Sequence, residues 1–131
     1  MKNIIAIAIL SIALGACSST GEKAEKPLFD QVMDLHDEVM PKMGDLNKAK
    51  KALMAKAASA ETDSAKQSLE MLANNIELAN EAMMDWMRNF DPNFEGTEEE
   101  VEEYLTKKKK GIEKVSEMMN NSLAKGQEAL N

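Results

Sequence analysis

The chain has few of the residues on which β-structure, disulfide frameworks and most enzyme sites depend. Its 131 residues include one cysteine, one histidine, three prolines, six glycines and five aromatic side chains. A single thiol cannot build an internal disulfide framework. No segment alternates apolar and polar residues over the length of a strand, so the pattern predicts an all-helical protein.

A long hydrophobic run is also missing. The most apolar stretch, residues 4–14, is eleven residues long, whereas a membrane-spanning helix needs about 20. Lys2 precedes this stretch, and Leu14-Gly15-Ala16-Cys17 follows it. A basic start, a short apolar stretch and small residues before a cleavage point are typical of a secretory signal peptide. We therefore predict that residues 1–16 form a signal peptide that is removed.

Cys17 follows Leu-Gly-Ala, an arrangement that resembles the lipobox of bacterial lipoproteins. The resemblance implies that Cys17 becomes the first mature residue. It would carry a diacylglyceryl thioether, usually with a third acyl chain such as palmitate on its amine. Two or more acyl chains give stable membrane anchoring.

Residues 17–27 are predicted to hold the folded part close to the bilayer. Residues 18–26 carry no apolar anchor and are expected to form a flexible tether of at most about 30 Å. Ser18 follows the cysteine and no acidic run comes after it. We therefore expect the periplasmic face of the outer membrane rather than the cell surface.

Negative charge exceeds positive charge in the expected mature chain. Cleavage before Cys17 would leave 115 residues, and the loss of Lys2 would change the formal net charge from −7 to −8. This length fits one small domain, and the acidic balance lacks the electrostatic footprint of a nucleic-acid-binding protein. The exception is Lys107–Lys110, which we interpret as a solvated helix face balanced by glutamates such as Glu103, the i,i+4 partner of Lys107. Contact with anionic headgroups is the alternative.

Helical periodicity runs through three stretches, at about 28–59, 63–90 and 98–130. In each stretch mostly apolar residues recur at alternating steps of three and four, as in a coiled-coil seam. The seam positions are 29, 32, 36, 39, 43, 46, 50, 53 and 57 in the first stretch, 69, 72, 76, 79, 83, 86 and 90 in the second, and 101, 105, 108, 112, 115, 119, 122 and 126 in the third. Because two short connections join the three stretches, neighbouring helices should be antiparallel. The sequence therefore predicts an all-α, antiparallel three-helix bundle with coiled-coil-like seams. Such seams also support coiled coils between two chains, so a homodimer remains an alternative.

Several residues predict where these helices begin, bend or weaken. Pro41 should kink or break the first stretch near Met40–Asp45. Thr62 or Asp63 can cap the second, and Thr97 with Glu100 fits a capping box at the start of the third. Three seam positions of the third helix are poor, so we expect its C-terminal end to fray: Lys108, Ser122 and Gly126.

Two segments carry a family resemblance. Leu35–Met43, which reads LHDEVMPKM, and Ala82–Met87, which reads AMMDWM, resemble a group of small bacterial lipoproteins described as "viral A-type inclusion protein". The resemblance covers most of the expected mature chain. It implies an envelope location and a helical fold, but it implies no viral function and supplies no catalytic residue.

One end of the predicted bundle gathers soft and aromatic side chains. Folding the second stretch back on the first brings His36 to the level of Asp85. The expected members of this layer are Met33, His36, Met40, Met83, Trp86, Met87 and Tyr104. Methionine fills irregular core gaps and contacts aromatic rings, so packing is the first interpretation, with Asp85 or Tyr104 as the hydrogen-bond partner of His36.

The second interpretation of this layer is a soft-metal site. Imidazole and thioether ligands suit copper(I), and the i,i+4 pairs His36/Met40 and Met83/Met87 would present them on facing helices. A b-type haem held by His36 and a methionine is also chemically possible in a helical bundle. No other cofactor is expected.

An enzyme is not expected from this sequence. It has one histidine and no glycine-rich phosphate loop, and lipidation of Cys17 would leave no free thiol for nucleophilic catalysis. We predict instead a non-enzymatic interaction protein, an envelope scaffold or chaperone-like factor whose partner is an unknown envelope protein. Because methionine-rich surfaces can repack against different partners, Met83, Met84 and Trp86 are the candidate interaction residues.

Overall fold

The computed structural model describes residues 26–131 and shows four helices without a strand in that range. They are α1 (Leu28–Val39), α2 (Lys42–Ala58), α3 (Asp63–Arg88) and α4 (Glu98–Leu130). Helices α1 and α2 follow one another as a single bent rod, which packs with α3 and α4. The predicted all-α three-helix bundle is therefore confirmed. The predicted signal peptide, Cys17 and residues 18–25 lie outside the described residues.

The break between α1 and α2 lies at Met40 and Pro41, as the sequence predicts. Both residues keep right-handed helical backbone angles, but Pro41 has no N–H to donate to the preceding turn. Helix α1 packs mainly on α4, whereas α2 packs on both α3 and α4. The bend thus separates a first segment with one main helical neighbour from a second segment with two.

Side-chain caps fix the starts of α3 and α4. The Thr62 hydroxyl accepts a hydrogen bond from the backbone N–H of Ala65 at 3.2 Å. At α4 the Thr97 hydroxyl accepts from the Glu100 N–H at 3.3 Å, and the Glu100 carboxylate accepts from the Thr97 N–H at 2.8 Å. Both predicted caps are confirmed, and the capping box is complete.

One continuous apolar core runs along the bundle. Most of its fully buried side chains fall at predicted seam positions: Val32, Val39, Leu46, Leu53, Ile76, Met83, Ile112 and Met119. Asn80 is the buried polar residue of residues 26–131, with 7% of its surface exposed. Its Nδ2 donates to the Asn47 Oδ1 at 3.2 Å, while its own Oδ1 is buried without a hydrogen-bond partner among the described residues.

The C-terminal part of α4 differs from the expectation of fraying. The helix is continuous to Leu130. Gly126 is buried, and a Cβ placed there would lie 3.0 Å from the Ile76 side chain and 3.4 Å from that of Leu53. The Ser122 hydroxyl donates to the Asn75 carbonyl at 3.3 Å. The small residues that weaken the apolar seam therefore permit close helix approach instead.

The bundle has a near end and a far end. The near end contains Lys26, the start of α1, the end of α3, the loop 89–97 and the start of α4. The far end contains the α2–α3 turn and the C-terminus of α4.

Candidate functional site

All five aromatic residues of the chain lie together at the near end. Trp86 stacks on Phe90 with ring centroids 4.8 Å apart, and Phe94 stacks on Tyr104 at 4.2 Å. Phe90 links the two pairs because its ring lies 6.3 Å from that of Tyr104, and Phe29 of α1 lies 6.2 Å from Phe90. We call these five residues and His36 the aromatic cluster. It joins α1, α3, the loop 89–97 and α4.

The imidazole of His36 continues this stack. Its ring lies 5.8 Å from that of Trp86 at an interplanar angle of 27°, which agrees with the predicted level of His36 beside the end of α3. The backbones of α1 and α3 make few close approaches. Large rings therefore fill the wider space between these two helices.

Trp86 packs directly on α4, where it donates a hydrogen bond and where Gly111 leaves room for its indole. Its indole Nε1–H donates to the carbonyl of Lys108 at 3.0 Å. A Cβ at Gly111 would lie 3.1 Å from Cδ1 and 3.2 Å from Nε1 of this indole. Glycine at position 111 thus lets the indole lie directly on the α4 backbone.

The loop after α3 is bound to α4 through Tyr104 and Lys108. The backbone N–H of Asp91 donates to the Tyr104 hydroxyl at 2.6 Å. The Lys108 ammonium donates to the Asn89 carbonyl and lies 5.2 Å from the centre of the Tyr104 ring, within range of a cation–π attraction. These contacts hold the loop in one arrangement beside the aromatic cluster.

The hydrogen-bond partner of His36 differs from both predicted partners. Its Nδ1 lies 2.8 Å from the carboxylate of the adjacent Asp37, within hydrogen-bond distance. Asp85 instead pairs with Arg88, and the Tyr104 hydroxyl accepts from the loop backbone. Sequence periodicity places the correct helix faces together but does not predict this local pairing between neighbours.

The four copper candidates occupy different environments. Met83 is fully buried in the core, and Met87 is half-buried against it. Met40 is exposed at the α1–α2 break, and the His36 ring is engaged with Trp86 and Asp37. Copper(I) binding stays a prediction. A chelator-competition titration tests it, and an affinity unchanged in the His36→Ala, Met40→Leu double variant would exclude it.

Only one of the three predicted interaction residues is exposed. Met83 and Trp86 are buried, whereas Met84 is exposed. The more exposed apolar side chains of α3 are Met71, at 62%, and Leu78, at 47%. Their spacing of seven residues puts them on one face of the helix. Seam analysis misses them because it selects inward positions, although their large size at positions off the seam is visible in the sequence.

A groove between α3 and α4 lies beside this exposed face. We call it the α3/α4 groove, lined by Leu72, Asn75, Leu78, Met118, Asn121, Ser122 and Lys125. Its volume is about 240 Å³. Leucine and methionine side chains supply its apolar lining, and asparagine, serine and lysine supply its polar lining.

The lysine run is partly structural. Lys108 binds the loop as described, and the Lys109 ammonium donates to the Gln31 side chain of α1 at 2.8 Å and lies 3.9 Å from Glu113. Lys107 and Lys110 are exposed, in agreement with a solvated face. Among residues 26–131 the predicted Glu103–Lys107 ion pair is not formed.

Among residues 26–131 no group of three or more His, Cys, Asp and Glu side chains is arranged to hold a metal ion. None of the helices in this range combines the length and apolar character required to cross a membrane. No family model matches the chain, and no match is found among curated proteins or solved structures.

Proposed function

We propose that this chain is a lipid-anchored periplasmic lipoprotein of the bacterial envelope, with residues 1–16 as its signal peptide and Cys17 as the lipidated residue. The Leu14–Cys17 motif supports the anchor. The described bundle begins at Lys26, nine residues after Cys17. A chain of that length would keep the bundle close to the membrane surface.

The role that we propose for the anchored bundle is protein binding, as an envelope scaffold or chaperone-like factor. The observation that carries this role is the exposed apolar face of Met71 and Leu78 beside the α3/α4 groove. Exposed large apolar residues next to a concave surface are typical of interaction sites. Because methionine adapts its shape readily, this surface suits an apolar segment of an envelope protein.

The position of the histidine supports a non-enzymatic role. His36 is the chain's one histidine, and its ring is stacked on Trp86 while its Nδ1 faces Asp37. The stack on Trp86 packs α1 against the end of α3, and the contact with Asp37 is local to α1. The histidine thus contributes to the aromatic cluster, and we assign it no catalytic task.

The anchor is tested by the Cys17→Ala variant in a bacterial host. Wild-type protein should fractionate with membranes, and the mass of its N-terminal peptide should include the lipid. The variant should accumulate as an unprocessed precursor or a soluble form. Cys17→Ala protein of mature size in the membrane fraction would contradict the proposal.

The binding surface is tested by site-specific photo-crosslinking in intact envelopes. A crosslinker at position 78 should give a discrete product that is absent when the crosslinker is placed at Lys114, an exposed site of α4. Met71→Ser should reduce the product without lowering the stability of the bundle, because this side chain is largely exposed. Equal products from both positions would contradict a specific surface. A product with the mass of two chains would identify a second copy as the partner and contradict binding to another envelope protein.

A further inference from the structure

The aromatic cluster and Lys26, the first described residue, lie at the same end of the bundle. The ammonium of Lys26 donates to the Asp34 carboxylate at 2.6 Å, and its carbonyl accepts from the Gln31 side chain at 2.6 Å. Both partners belong to α1. Lys26, the first described residue after Cys17, is therefore fixed at the near end, next to the aromatic cluster.

The short chain between Cys17 and the bundle limits the distance of the near end from the membrane far more than that of the far end. Nine residues lie between Cys17 and Pro27, and the ten residue steps from one to the other can span at most about 35 Å. Helix α4 has 33 residues, which corresponds to about 50 Å. With Cys17 in a membrane, the near end must stay within reach of the lipid surface, while the far end can extend well beyond it.

The near end presents two aromatic rings to solvent. Phe29 is 36% exposed and Phe94 is 38% exposed. Phe90 lies behind Phe29, and Tyr104 lies behind Phe94, so the rings have firm support on their inner sides. Aromatic side chains favour the boundary between lipid and water, and the loop 91–97 that carries Phe94 is exposed throughout.

The charges around these rings select the kind of lipid surface. Five exposed carboxylates flank them, namely Asp30, Asp91, Glu95, Glu98 and Glu99. Residues 89–106 contain seven carboxylates and no lysine or arginine. Lys108 and Lys109, which follow, keep their positive charges while bound to the loop and to α1, but the carboxylates outnumber them. An anionic surface would repel this end, whereas zwitterionic headgroups place an ammonium group outermost, where it can meet carboxylates.

We propose that the near end rests on the membrane that holds Cys17, with Phe29 and Phe94 entering the headgroup layer of a zwitterionic lipid surface. This inference rests on the proposed lipid anchor. A contact through two rings is weak on its own, but attachment by a short chain raises the effective concentration of the surface to the millimolar range. The contact should therefore form in the anchored protein and be nearly absent from the free protein.

The experiment supplies the anchor chemically, so that it does not depend on lipidation in cells. Protein comprising residues 17–131 is coupled through the Cys17 thiol to a maleimide lipid in phosphatidylethanolamine–phosphatidylcholine vesicles. Amide hydrogen exchange is then measured across residues 89–97. We expect exchange in this loop to slow at least threefold relative to the uncoupled protein.

Two matched controls separate lipid contact from mere attachment. In the first, Cys17→Ser is combined with Asn131→Cys, so that the far end is coupled instead; the loop should then exchange as in free protein. In the second, the vesicles contain a majority of anionic phosphatidylglycerol, and protection of the loop should fall. Equal protection from both attachment points, or stronger protection on anionic vesicles, would overturn the proposal.

Side-chain variants test whether the two exposed rings cause the protection of the loop. Phe94→Ser should abolish the protection, Phe94→Leu should retain most of it, and Met71→Ser should leave it unchanged. Thermal unfolding checks that each variant keeps the bundle folded. If Phe94→Ser unfolds the near end, Phe29→Ser gives the same test from α1. If the loop of the coupled protein is not protected, the lipid contact of the rings is contradicted, but the lipidation of Cys17 is not. If Cys17→Ala protein of mature size stays in the membrane fraction, lipidation is contradicted, and the vesicle result stands because its anchor is chemical.

Discussion

At the residue scale, two glycines on helices have opposite surroundings. A Cβ at Gly111 would lie 3.1 Å from the Trp86 indole, whereas a Cβ at Gly44 would meet nothing within 4 Å among the described residues. Glycine in a helix costs about 0.5–1 kcal/mol relative to alanine. Gly44 therefore carries that cost without a packing benefit, while Gly111 gives the indole its place on α4.

The two substitutions to alanine should change stability in opposite directions. Gly44→Ala should raise the free energy of unfolding by about 0.5–1 kcal/mol. Gly111→Ala should lower it by about 1–3 kcal/mol, because the indole must shift from Lys108 or the helix must move. Urea unfolding followed by circular dichroism measures both. A gain for Gly111→Ala equal to that for Gly44→Ala would contradict the close packing of Trp86.

The buried amide of Asn80 leads to a second prediction at this scale. Asn47→Ala should lower the free energy of unfolding by about 1–3 kcal/mol, because it leaves a buried amide without its partner. Asn80→Ala should cost clearly less, since it removes a hydrogen bond of about 1 kcal/mol together with the unpaired Oδ1. Urea unfolding of the two variants side by side checks this order. A greater loss for Asn80→Ala would show that both its polar atoms are satisfied.

The surroundings of Gly44 and Gly111, and the hydrogen bond between Asn80 and Asn47, cannot be predicted from the sequence. Periodicity identifies the inward positions of each helix, and it succeeds for Val32, Ile76 and Met119 because their burial depends on helix phase alone. The contact of Gly111 depends on how closely α4 approaches the end of α3. Asn80 lies next to a seam position, and its burial follows from the side on which α2 packs.

At the element scale, the helix bounds follow closely from local chemistry. Thr62, Thr97 and Pro41 act through hydrogen bonds within a few residues, so their effects are visible in the sequence. Phe29 is less predictable: it has a seam position but is exposed, because it lies where the bundle ends. Burial at a helix end depends on neighbouring loops, which periodicity does not describe.

The capping box of α4 gives a pH-dependent prediction. The hydrogen bond from the Thr97 backbone N–H, followed by that from its side chain, lowers the pKa of the Glu100 carboxyl below its ordinary value of 4.5. A carboxyl whose pKa is lowered by folding stabilises the folded state at pH values above its ordinary pKa. This contribution disappears as the pH falls through the lowered pKa. Between pH 7 and pH 3, Glu100→Gln should therefore lose less stability than the wild type.

Thr97→Ala is the companion variant for this capping box. It should cost about 1 kcal/mol at pH 7, as for other helix N-caps, and should also reduce the loss on acidification. Urea unfolding at pH 7, 5, 4 and 3 measures both variants. Wild type and Glu100→Gln with parallel pH profiles would show that the box does not perturb this carboxyl.

At the scale of the whole molecule, α1 is the segment with the fewest helical neighbours. It has 12 residues, too few to form a stable helix alone in water, and it packs mainly on α4. Its connection to the rest of the core runs through Val32, Val39 and the stack of His36 on Trp86. Since one apolar core joins these residues to the far half of the bundle, α1 should unfold together with the other helices.

Trp86 makes this cooperativity measurable, because it is the one tryptophan of the chain and touches α1 directly. Its fluorescence reports the near end, and circular dichroism at 222 nm reports all helices. Both probes should give the same urea midpoint. Leu53→Ala, in the far half of the bundle, should lower both midpoints together by removing about 2–5 kcal/mol of stability. A fluorescence transition at lower urea than the helical transition would instead show that α1 detaches before the bundle unfolds.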